Sequence, residues 1–247
     1  MISHLKNKLS GYEKEDRFFM KKIIPFILAL SLSLTALISC GEQTGAAQSG
    51  ENAPTPTTPP PKEETALDWC VYKTERDVTG HETCKVKMTV RDYGEITLLL
   101  DATTAPETVA NFKKLVADGF YNGLTFHRIV ENFMIQGGCP RGDGGGSTEE
   151  KIKGEFSSNG HENDISHLRG VISMARGNND KNSASCQFFI CNADSTGLDG
   201  SYAAFGYVIE GMSTVDKITS VAVKYCEGET INIKALQPVI EKMEIIE

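Results

Sequence analysis

The most informative part of this chain is the run Phe126-His127-Arg128-Ile129-Val130-Glu131-Asn132-Phe133-Met134-Ile135-Gln136-Gly137-Gly138. Two β-prone runs flank the polar Glu131-Asn132 step, and a glycine pair closes the second run. The pattern predicts a β-hairpin in which a cation, large apolar side chains and an amide gather near the turn. An arginine in a strand is usually a solvated surface residue. Here, however, the apolar neighbours of Arg128 could hold its guanidinium rigid beside a pocket.

Regular hydrophobic periodicity continues on both sides of this hairpin. Alternation over 86–90 and 96–100 predicts an antiparallel pair of strands with one buried face. A helix is predicted from Pro106, which suits a first helical turn, to Gly119, a natural stop. The remaining predicted elements are strands over 126–130, 133–137, 170–175, 187–192, 203–209 and 238–246 and a weaker helix over 213–219. Many short strands with two helices indicate a closed β-barrel or a sandwich.

Further motifs follow the central hairpin in order along the chain. They are Gly142-Asp143-Gly144-Gly145-Gly146, Gly170-Val171-Ile172-Ser173-Met174-Ala175, Ser185-Cys186-Gln187-Phe188-Phe189-Ile190, Leu198-Asp199-Gly200, Phe205-Gly206 and Glu210-Gly211-Met212. Together with the hairpin, the series closely resembles the cyclophilins, the cyclosporin-binding family of peptidyl-prolyl cis–trans isomerases, over about residues 85–247. The resemblance implies a mainly β fold, a closed eight-stranded antiparallel β-barrel capped by two α-helices. Because side chains just fill a barrel of this size, the substrate groove is expected on its outer wall.

The resemblance also assigns the residues of the site. Arg128, Gln136 and Phe133 form the expected catalytic group, in which Arg128 acts on the twisted amide and Gln136 binds the peptide main chain. The expected substrate-binding residues are Met134, Gly144, Ala175, Arg176, Gln187, Phe189, Leu198 and Tyr202. The expected activity is peptidyl-prolyl isomerisation, and the expected partners are proline-containing peptides or unfolded proteins.

The chemistry of isomerisation explains why one fixed cation matters. Rotation about an X-Pro bond crosses a barrier of roughly 18–20 kcal/mol but breaks no bond, so we expect no cofactor and no metal. The catalyst must bind the twisted amide better than either planar form. Twisting leaves the nitrogen pyramidal and basic, and the guanidinium of Arg128 cannot lose its charge. Arg128 is therefore predicted to stabilise the twisted state selectively.

Three residues depart from the family pattern. Cys139 follows the glycine pair, where the family usually has an acidic residue. Gly197 stands where many cyclophilins have a tryptophan, and Tyr202 stands where many have a histidine. Tyr202 can still close the groove and donate a hydrogen bond. Because Gly197 removes an apolar wall and an indole donor, we expect weak cyclosporin binding rather than a loss of catalysis.

The register of the central hairpin raises a geometric question. A strict two-residue turn at Glu131-Asn132 would pair Arg128 with Ile135. Gln136 would then lie on the face opposite to Arg128, because successive side chains of a strand point to opposite faces. The site implied by the resemblance therefore requires a looser turn or a β-bulge.

The N-terminal part of the chain is typical of a bacterial lipoprotein precursor. Residues 20–39 combine a basic start with an apolar run, as a signal peptide does, and Cys40 stands where a lipidated cysteine is expected. The alternative is a transmembrane helix, which needs roughly 20 apolar residues, whereas this run has about 16. Residues 1–19 carry charges of both signs and are interpreted as a mis-assigned extension before a start at Met20. The predicted location is extracytoplasmic, on a membrane to which Cys40 anchors the protein.

The segments between Cys40 and the domain differ in composition. Residues 40–66 are rich in Pro, Thr and Gly and are predicted to form a disordered linker that holds the domain off the membrane. Residues 67–84 are predicted to be a partly ordered lead-in, and 85–247 to be the isomerase domain. A Cys70–Cys84 disulfide and two free thiols are both compatible with the sequence, since disulfides persist outside the cytoplasm.

Composition limits the other partners. The net charge of −8 argues mildly against nucleic acid, because phosphate binding requires a basic surface. Seven cysteines are too few for a disulfide scaffold at this length, and their spacing matches no zinc site. The loop 142–146 lacks the Lys-Ser/Thr that follows a phosphate-binding loop. The protein is expected to be a monomer.

Several histidines and cysteines near the motifs have structural interpretations. His127 is predicted to point away from the groove as a satisfied structural residue. His161 and His167 lie in a polar sequence with acidic neighbours, for which a solvated loop is favoured over a metal site. The cysteines predicted to be buried as small hydrophobic residues are Cys139, Cys186 and Cys191.

Two functions from different classes remain at this point. One is an active, lipid-anchored isomerase that assists the folding of exported proteins. The other is a catalytically weak cyclophilin-fold module that binds peptides without turning them over. Retention of Arg128, Phe133, Met134 and Gln136 favours the first.

Overall fold

A computed structural model describes residues 78–246 of the 247-residue chain. Its strands are β1 (Thr83–Val90), β2 (Gly94–Asp101), β3 (Phe126–Val130), β4 (Met134–Gly137), β5 (Val171–Met174), β6 (Phe188–Cys191), β7 (Ala204–Glu210) and β8 (Ile240–Ile246). Its α-helices are α1 (Pro106–Ala117) and α2 (Met212–Ala222). Within residues 78–246, no helix is long and apolar enough to cross a bilayer.

The eight strands form one antiparallel sheet in the order β3-β4-β6-β5-β7-β2-β1-β8. The two outer strands of this order meet at one end. There, the Phe126 N–H donates to the Pro238 carbonyl over 2.9 Å, and the Ile240 N–H donates to the Leu124 carbonyl over 2.8 Å. The sheet therefore curls round on itself, and the predicted eight-stranded antiparallel barrel with two helices is confirmed.

One cluster of buried side chains joins the inner face of the sheet to both helices. In β1 the alternation predicted from sequence is observed, since Val86, Met88 and Val90 are at most 1% exposed. Phe112 of α1 contributes the central aromatic contacts, with ring centroids 5.0 Å from Tyr121 and 5.1 Å from Phe205. Because these side chains fill the interior, a peptide must bind elsewhere.

Helix α1 begins at Pro106, as predicted, but its cap comes from a distant loop. Ala105, at the N-cap, makes no side-chain capping bond. Instead, the carboxylate of Glu155 accepts hydrogen bonds from the backbone N–H groups of Glu107, over 3.0 Å, and Thr108, over 2.8 Å. Glu155 is 2% exposed, so a buried carboxylate satisfies two of the free donors of the first helical turn.

The element boundaries differ slightly from those expected. Strand β4 begins one residue later than predicted, β8 two residues later, and α2 is longer than the predicted 213–219. The segments 1–19, 20–39 and 40–66 and most of 67–84 lie outside the described residues. Cys40 and Cys70 lie there as well, so lipidation and the Cys70–Cys84 bridge stay predictions.

Candidate active site

The β3–β4 hairpin carries the residues on which the site depends. Arg128 lies directly opposite Gln136, and Val130 lies opposite Met134. The connection is therefore residues 131–133, longer than a strict two-residue turn, with Asn132 in the left-handed region at φ 56°. Asparagine tolerates this conformation better than most residues do. The looser turn that the site requires is present, and it places Arg128 and Gln136 on one face.

The guanidinium of Arg128 contacts groups on two sides. Its Nη1 donates to Gln136 Oε1 over 3.3 Å, and its Cζ lies 5.9 Å from the centre of the Phe133 ring. On the other side, its Nε donates to Glu229 Oε2 over 2.9 Å. Nη1 also lies 3.8 Å from the sulfur of Met134. The side chain is 31% exposed, so a ligand can reach it although these four neighbours restrict its movement.

A cavity of about 410 Å³ lies beside this arginine on the outer wall of the barrel. Nine of its lining residues were predicted from sequence, and Asn178 is the tenth. The lining residues are Arg128, Phe133, Met134, Gln136, Ala175, Arg176, Asn178, Phe189, Leu198 and Tyr202. Asn178 was missed because it lies two residues past the motif residues and carries no pattern of its own.

The floor of this cavity is apolar. Met134, Phe189 and Cys191 form a small buried cluster separate from the barrel core, and Leu198 and Tyr202 pack against it. Strand pairing explains the cluster, because β4 and β6 place Met134 opposite Cys191. The Tyr202 ring meets Phe189 edge to face, with centroids 5.9 Å apart. The arrangement offers a rigid apolar surface next to a fixed cation.

A second cavity of about 280 Å³ adjoins the first and shares Gln136, Ala175 and Arg176 with it. Gly144 and Gln187, both predicted from sequence, line this second cavity. Gln187 Nε2 donates to the carbonyl of Gly144 over 2.8 Å, and Gln187 Oε1 accepts from Gln136 Nε2 over 3.0 Å. A continuous hydrogen-bond chain thus runs from Arg128 through both glutamines to the glycine-rich loop.

The side chain of Arg176 packs at the wall of the groove. Its Nε donates to the Ser201 carbonyl over 3.0 Å, and its Cζ lies 4.6 Å from the centre of the Tyr202 ring. The guanidinium is therefore stacked on Tyr202 and holds that ring at the edge of the groove. The sequence analysis placed Arg176 among the substrate-binding residues but did not predict its contact with Tyr202.

Comparison with known proteins identifies the family. Residues 85–243 match the family model described as cyclophilin type peptidyl-prolyl cis-trans isomerase/CLD. The chain is a cyclophilin. It therefore belongs to the peptidyl-prolyl cis–trans isomerases, and the enzyme class predicted from the motifs is confirmed.

Individual relatives agree with this assignment. A peptidyl-prolyl cis-trans isomerase of Helicobacter pylori strain J99 is 45% identical over 127 residues, which are 51% of this chain and 75% of the relative. One from Synechococcus elongatus is 43% identical over 140 residues, 53% of this chain and 91% of the relative. A crystal structure of a Cryptosporidium parvum cyclophilin type isomerase superposes with a TM-score of 0.59 at 26% identity, covering 67% of this chain and 99% of that one. The same protein has also been crystallised in the presence of the dipeptide Ala-Pro.

The residues at which this cyclophilin departs from the family pattern are accommodated without distortion. Gly197 lies in a short 3-10 turn, Thr196–Leu198, where an added Cβ would meet no atom within 4 Å. Cys139 is 1% exposed, and its Sγ accepts the Gly146 N–H over 3.3 Å. Cys139 is therefore a structural residue at the base of the glycine-rich loop.

Cys186 and Cys191 are fully buried, so the prediction for all three cysteines is confirmed.

His127 does not have the satisfied environment that was predicted. It is 1% exposed, and neither ring nitrogen has a hydrogen-bond partner among the described residues. It lies at a register shift between Phe126 and Arg128, beneath Gly144. Burial, together with the positive charge of Arg128, lowers the pKa of His127 to about 4. This cyclophilin therefore holds a neutral, unpartnered imidazole behind its central arginine.

The two loop histidines are structural, but His167 is not solvated as predicted. His167 is 1% exposed, with Nδ1 at 2.8 Å from Asp199 Oδ1 and Nε2 at 3.0 Å from Ser173 Oγ. His161 Nε2 lies 2.9 Å from the Thr104 carbonyl. Within residues 78–246, no group of three or more His, Cys, Asp or Glu could hold a metal ion. Because His167 ties down Asp199, it fixes the turn that carries Leu198 to the groove.

Proposed function

We propose that this cyclophilin isomerises X-Pro bonds of exported or cell-surface proteins and that Arg128 supplies the catalytic cation. The observation that carries the proposal is the position of the guanidinium at the edge of a cavity of about 410 Å³ whose floor is the apolar cluster around Met134 and Phe189. A proline ring and a fixed cation can meet there. No nucleophile, acid or cofactor is required, because no bond is broken during the reaction.

The mechanism assigns different tasks to the floor and to the arginine. Met134 and Phe189 hold the proline ring still while the preceding carbonyl rotates, and they contact planar and twisted substrate alike. The interaction between the Arg128 cation and the amide is strongest when the nitrogen becomes pyramidal. Arg128 therefore stabilises the transition state more than the planar substrate. Gln136, whose amide is oriented by Gln187 over 3.0 Å, binds the peptide main chain. Gly144 leaves room in the second cavity for residues that precede the proline.

The location of the protein rests on its N-terminal sequence. Residues 20–39 have the features of a lipoprotein signal, and Cys40 follows them where a lipid is attached. The linker at 40–66 supports a domain held away from a membrane surface. We infer that the enzyme acts outside the cytoplasm as a monomer on unfolded or partly folded chains.

A protease-coupled assay on a short X-Pro peptide tests the role of Arg128. Arg128→Ala should lower turnover by roughly two to three powers of ten, as removal of one preorganised donor typically does. Peptide affinity should fall much less, because the pocket contacts remain. Arg128→Lys keeps the charge but loses the planar fork, so it should recover only part of the activity.

Thermal unfolding of each variant provides the control. Arg128 is outside the barrel core, so the melting temperatures should match that of the unaltered protein. If folded Arg128→Ala retains near-normal rates, the mechanism is wrong. If the unaltered protein binds the peptide without accelerating isomerisation, it acts as a peptide-binding module instead.

A further inference from the structure

The carboxylate of Glu229 occupies one whole side of the Arg128 guanidinium. Both Nε and Nη2 of the arginine donate to Glu229 Oε2, with the Nε contact at 2.9 Å. The nitrogen that remains, Nη1, points the other way, 3.3 Å from Gln136 Oε1 at the wall of the cavity. Glu229 does not line that cavity.

Backbone hydrogen bonds place this carboxylate beside the arginine. Residues 227–230 form a tight turn in which Gly228 has φ 70° and the Glu227 N–H donates to the Thr230 carbonyl over 2.9 Å. The turn is attached to β3, because the Ile129 N–H donates to the Glu229 carbonyl over 2.9 Å and Arg128 pairs with Thr230. Backbone pairing with β3 therefore holds Glu229 next to Arg128.

We propose that Glu229 is a positioning residue for Arg128, a role that rests on the function proposed above for that arginine. An arginine side chain has several rotatable bonds, and ordering it during the reaction costs conformational entropy. Glu229 removes this cost in advance by holding Nε and Nη2, which leaves Nη1 aimed at the groove. Such preorganisation raises the rate of the chemical step more than it raises substrate affinity.

Orientation matters more here than charge. The Glu229 side chain is 56% exposed, and water and salt weaken the electrostatic part of an ion pair that is open to solvent. The planar fork, in contrast, requires an acceptor oxygen at one defined place. A neutral acceptor at residue 229 should therefore replace most of the effect, whereas a side chain without an oxygen should not.

The test measures kcat and KM separately for Glu229→Ala and Glu229→Gln in the full chain. Glu229→Ala should lower kcat about tenfold with little change in KM, since misplacing a catalytic group acts on the chemical step. Glu229→Gln should recover most of the loss. Glu227→Ala is the matched control, since it removes a carboxylate from the same turn. That carboxylate accepts a hydrogen bond from Asn232 Nδ2 over 2.9 Å. The kcat of Glu227→Ala should equal that of the unaltered protein.

A double-mutant comparison separates positioning from a structural effect. In an Arg128→Ala background, Glu229→Ala should change kcat by less than about twofold, because two residues that act as one unit are not additive. An equal loss in both backgrounds would overturn the inference, as would an unchanged or increased kcat in Glu229→Ala alone. If Arg128→Ala retains its activity, the proposed function fails together with the inference. If Arg128→Ala loses activity and Glu229→Ala does not, only the inference fails.

Discussion

Of the residues that depart from the family pattern, Gly197 is the one that we expect to change ligand binding most. In the 3-10 turn Thr196–Leu198, next to the lining residue Leu198, an added Cβ would meet open space, so no other side chain takes the place of the tryptophan that the family pattern has there. The apolar floor and the arginine do not depend on an apolar wall at residue 197. A large ligand that uses it should therefore lose affinity, while a small X-Pro peptide should not.

Cyclosporin binding tests this argument directly. Gly197→Trp should tighten binding by about 2–4 kcal/mol, a few powers of ten in affinity, because it adds an indole donor and a large apolar contact. Gly197→Ala is the matched control and should change affinity little. Titration calorimetry or inhibition of the isomerase assay gives the values. Strong inhibition of the unaltered protein by nanomolar drug would contradict the assignment of Gly197 to that wall.

His127 should make the stability of the domain sensitive to mild acid. Its pKa is lowered to about 4 in the folded protein, whereas an unfolded histidine has a pKa of about 6.5. The unfolded chain therefore binds more protons between these values, so stability is complete above pH 6.5 and falls as the pH drops towards 4. The loss amounts to at most about 3 kcal/mol.

Urea unfolding at several pH values measures this dependence. His127→Leu removes the titrating group, so its stability should vary less between pH 6.5 and 4 than that of the unaltered protein. Burial also lowers the pKa of His167, whose contribution stays in both proteins and cancels in the difference. Parallel pH curves for the two proteins would show that His127 is protonated or solvated in the folded state.

At the scale of elements, helix α1 depends on a carboxylate far away in the chain. Glu155 accepts from two backbone donors of the first helical turn, whereas Glu107, the acid within that turn, is exposed. An exposed charge near a helix terminus contributes only about 0.3–1 kcal/mol. A buried acceptor contributes more to the free energy of unfolding, because its loss leaves buried donors without a hydrogen bond.

Glu155→Gln should therefore destabilise the domain by about 1.5–3 kcal/mol, because one of the two helix N–H groups then faces an amide donor. Glu107→Gln is the matched control and should cost no more than about 1 kcal/mol. Denaturant unfolding of both variants gives the comparison. Equal effects would mean that the helix is stabilised by its local charge and not by the long-range cap.

Elements with a local period could be predicted from the sequence, and contacts between distant loops could not. The alternation in β1 and the spacing of Val109, Phe112 and Val116 in α1 reflect burial of one face, which each segment records by itself. The cap from Glu155 spans 48 residues, and the pair between Glu229 and Arg128 spans 101. The sequence around Glu155 or Glu229 contains no pattern that indicates the distant residue with which each one interacts.

The candidate site could likewise be predicted from the sequence only in part. Motif residues identified nine of the ten that line the first cavity, because the resemblance carries residue positions as well as fold. The hairpin register stayed open, since a left-handed residue at 132 adds one residue to the loop and shifts every later side chain to the other face. An asparagine at that place was the one signal for it, because asparagine enters this region more readily than most residues.

At the scale of the whole molecule, the sheet curls until β3 and β8 meet, and the core occupies the inside. All contacts proposed for the substrate therefore come from one outer surface of the domain. We expect the groove to stay accessible when the domain is attached by a linker, because the groove lies outside the barrel core. The attachment itself is proposed to be a lipid on Cys40.

Cys40→Ser tests the attachment. The substitution removes the thiol that would accept the lipid, so the protein should leave the detergent phase in a partitioning experiment with membranes from the expressing cells. Cys226→Ser is the matched control, because it removes a free thiol within the folded domain and should leave partitioning unchanged. Unchanged detergent partitioning of Cys40→Ser would mean that the apolar segment at 20–39 itself holds the protein in the bilayer.

Because the two adjoining cavities lie on the outer wall of the barrel, they are open to prolines at any position in a substrate protein. An enclosed chamber admits small molecules or chain ends, but a groove on a convex wall also accepts the middle of a long polypeptide laid across it. The enzyme should therefore need no free terminus, and its rate should not depend on how much chain extends on either side of the proline. A proline in a protruding loop of an almost completed protein should be as good a target as one in a nascent chain.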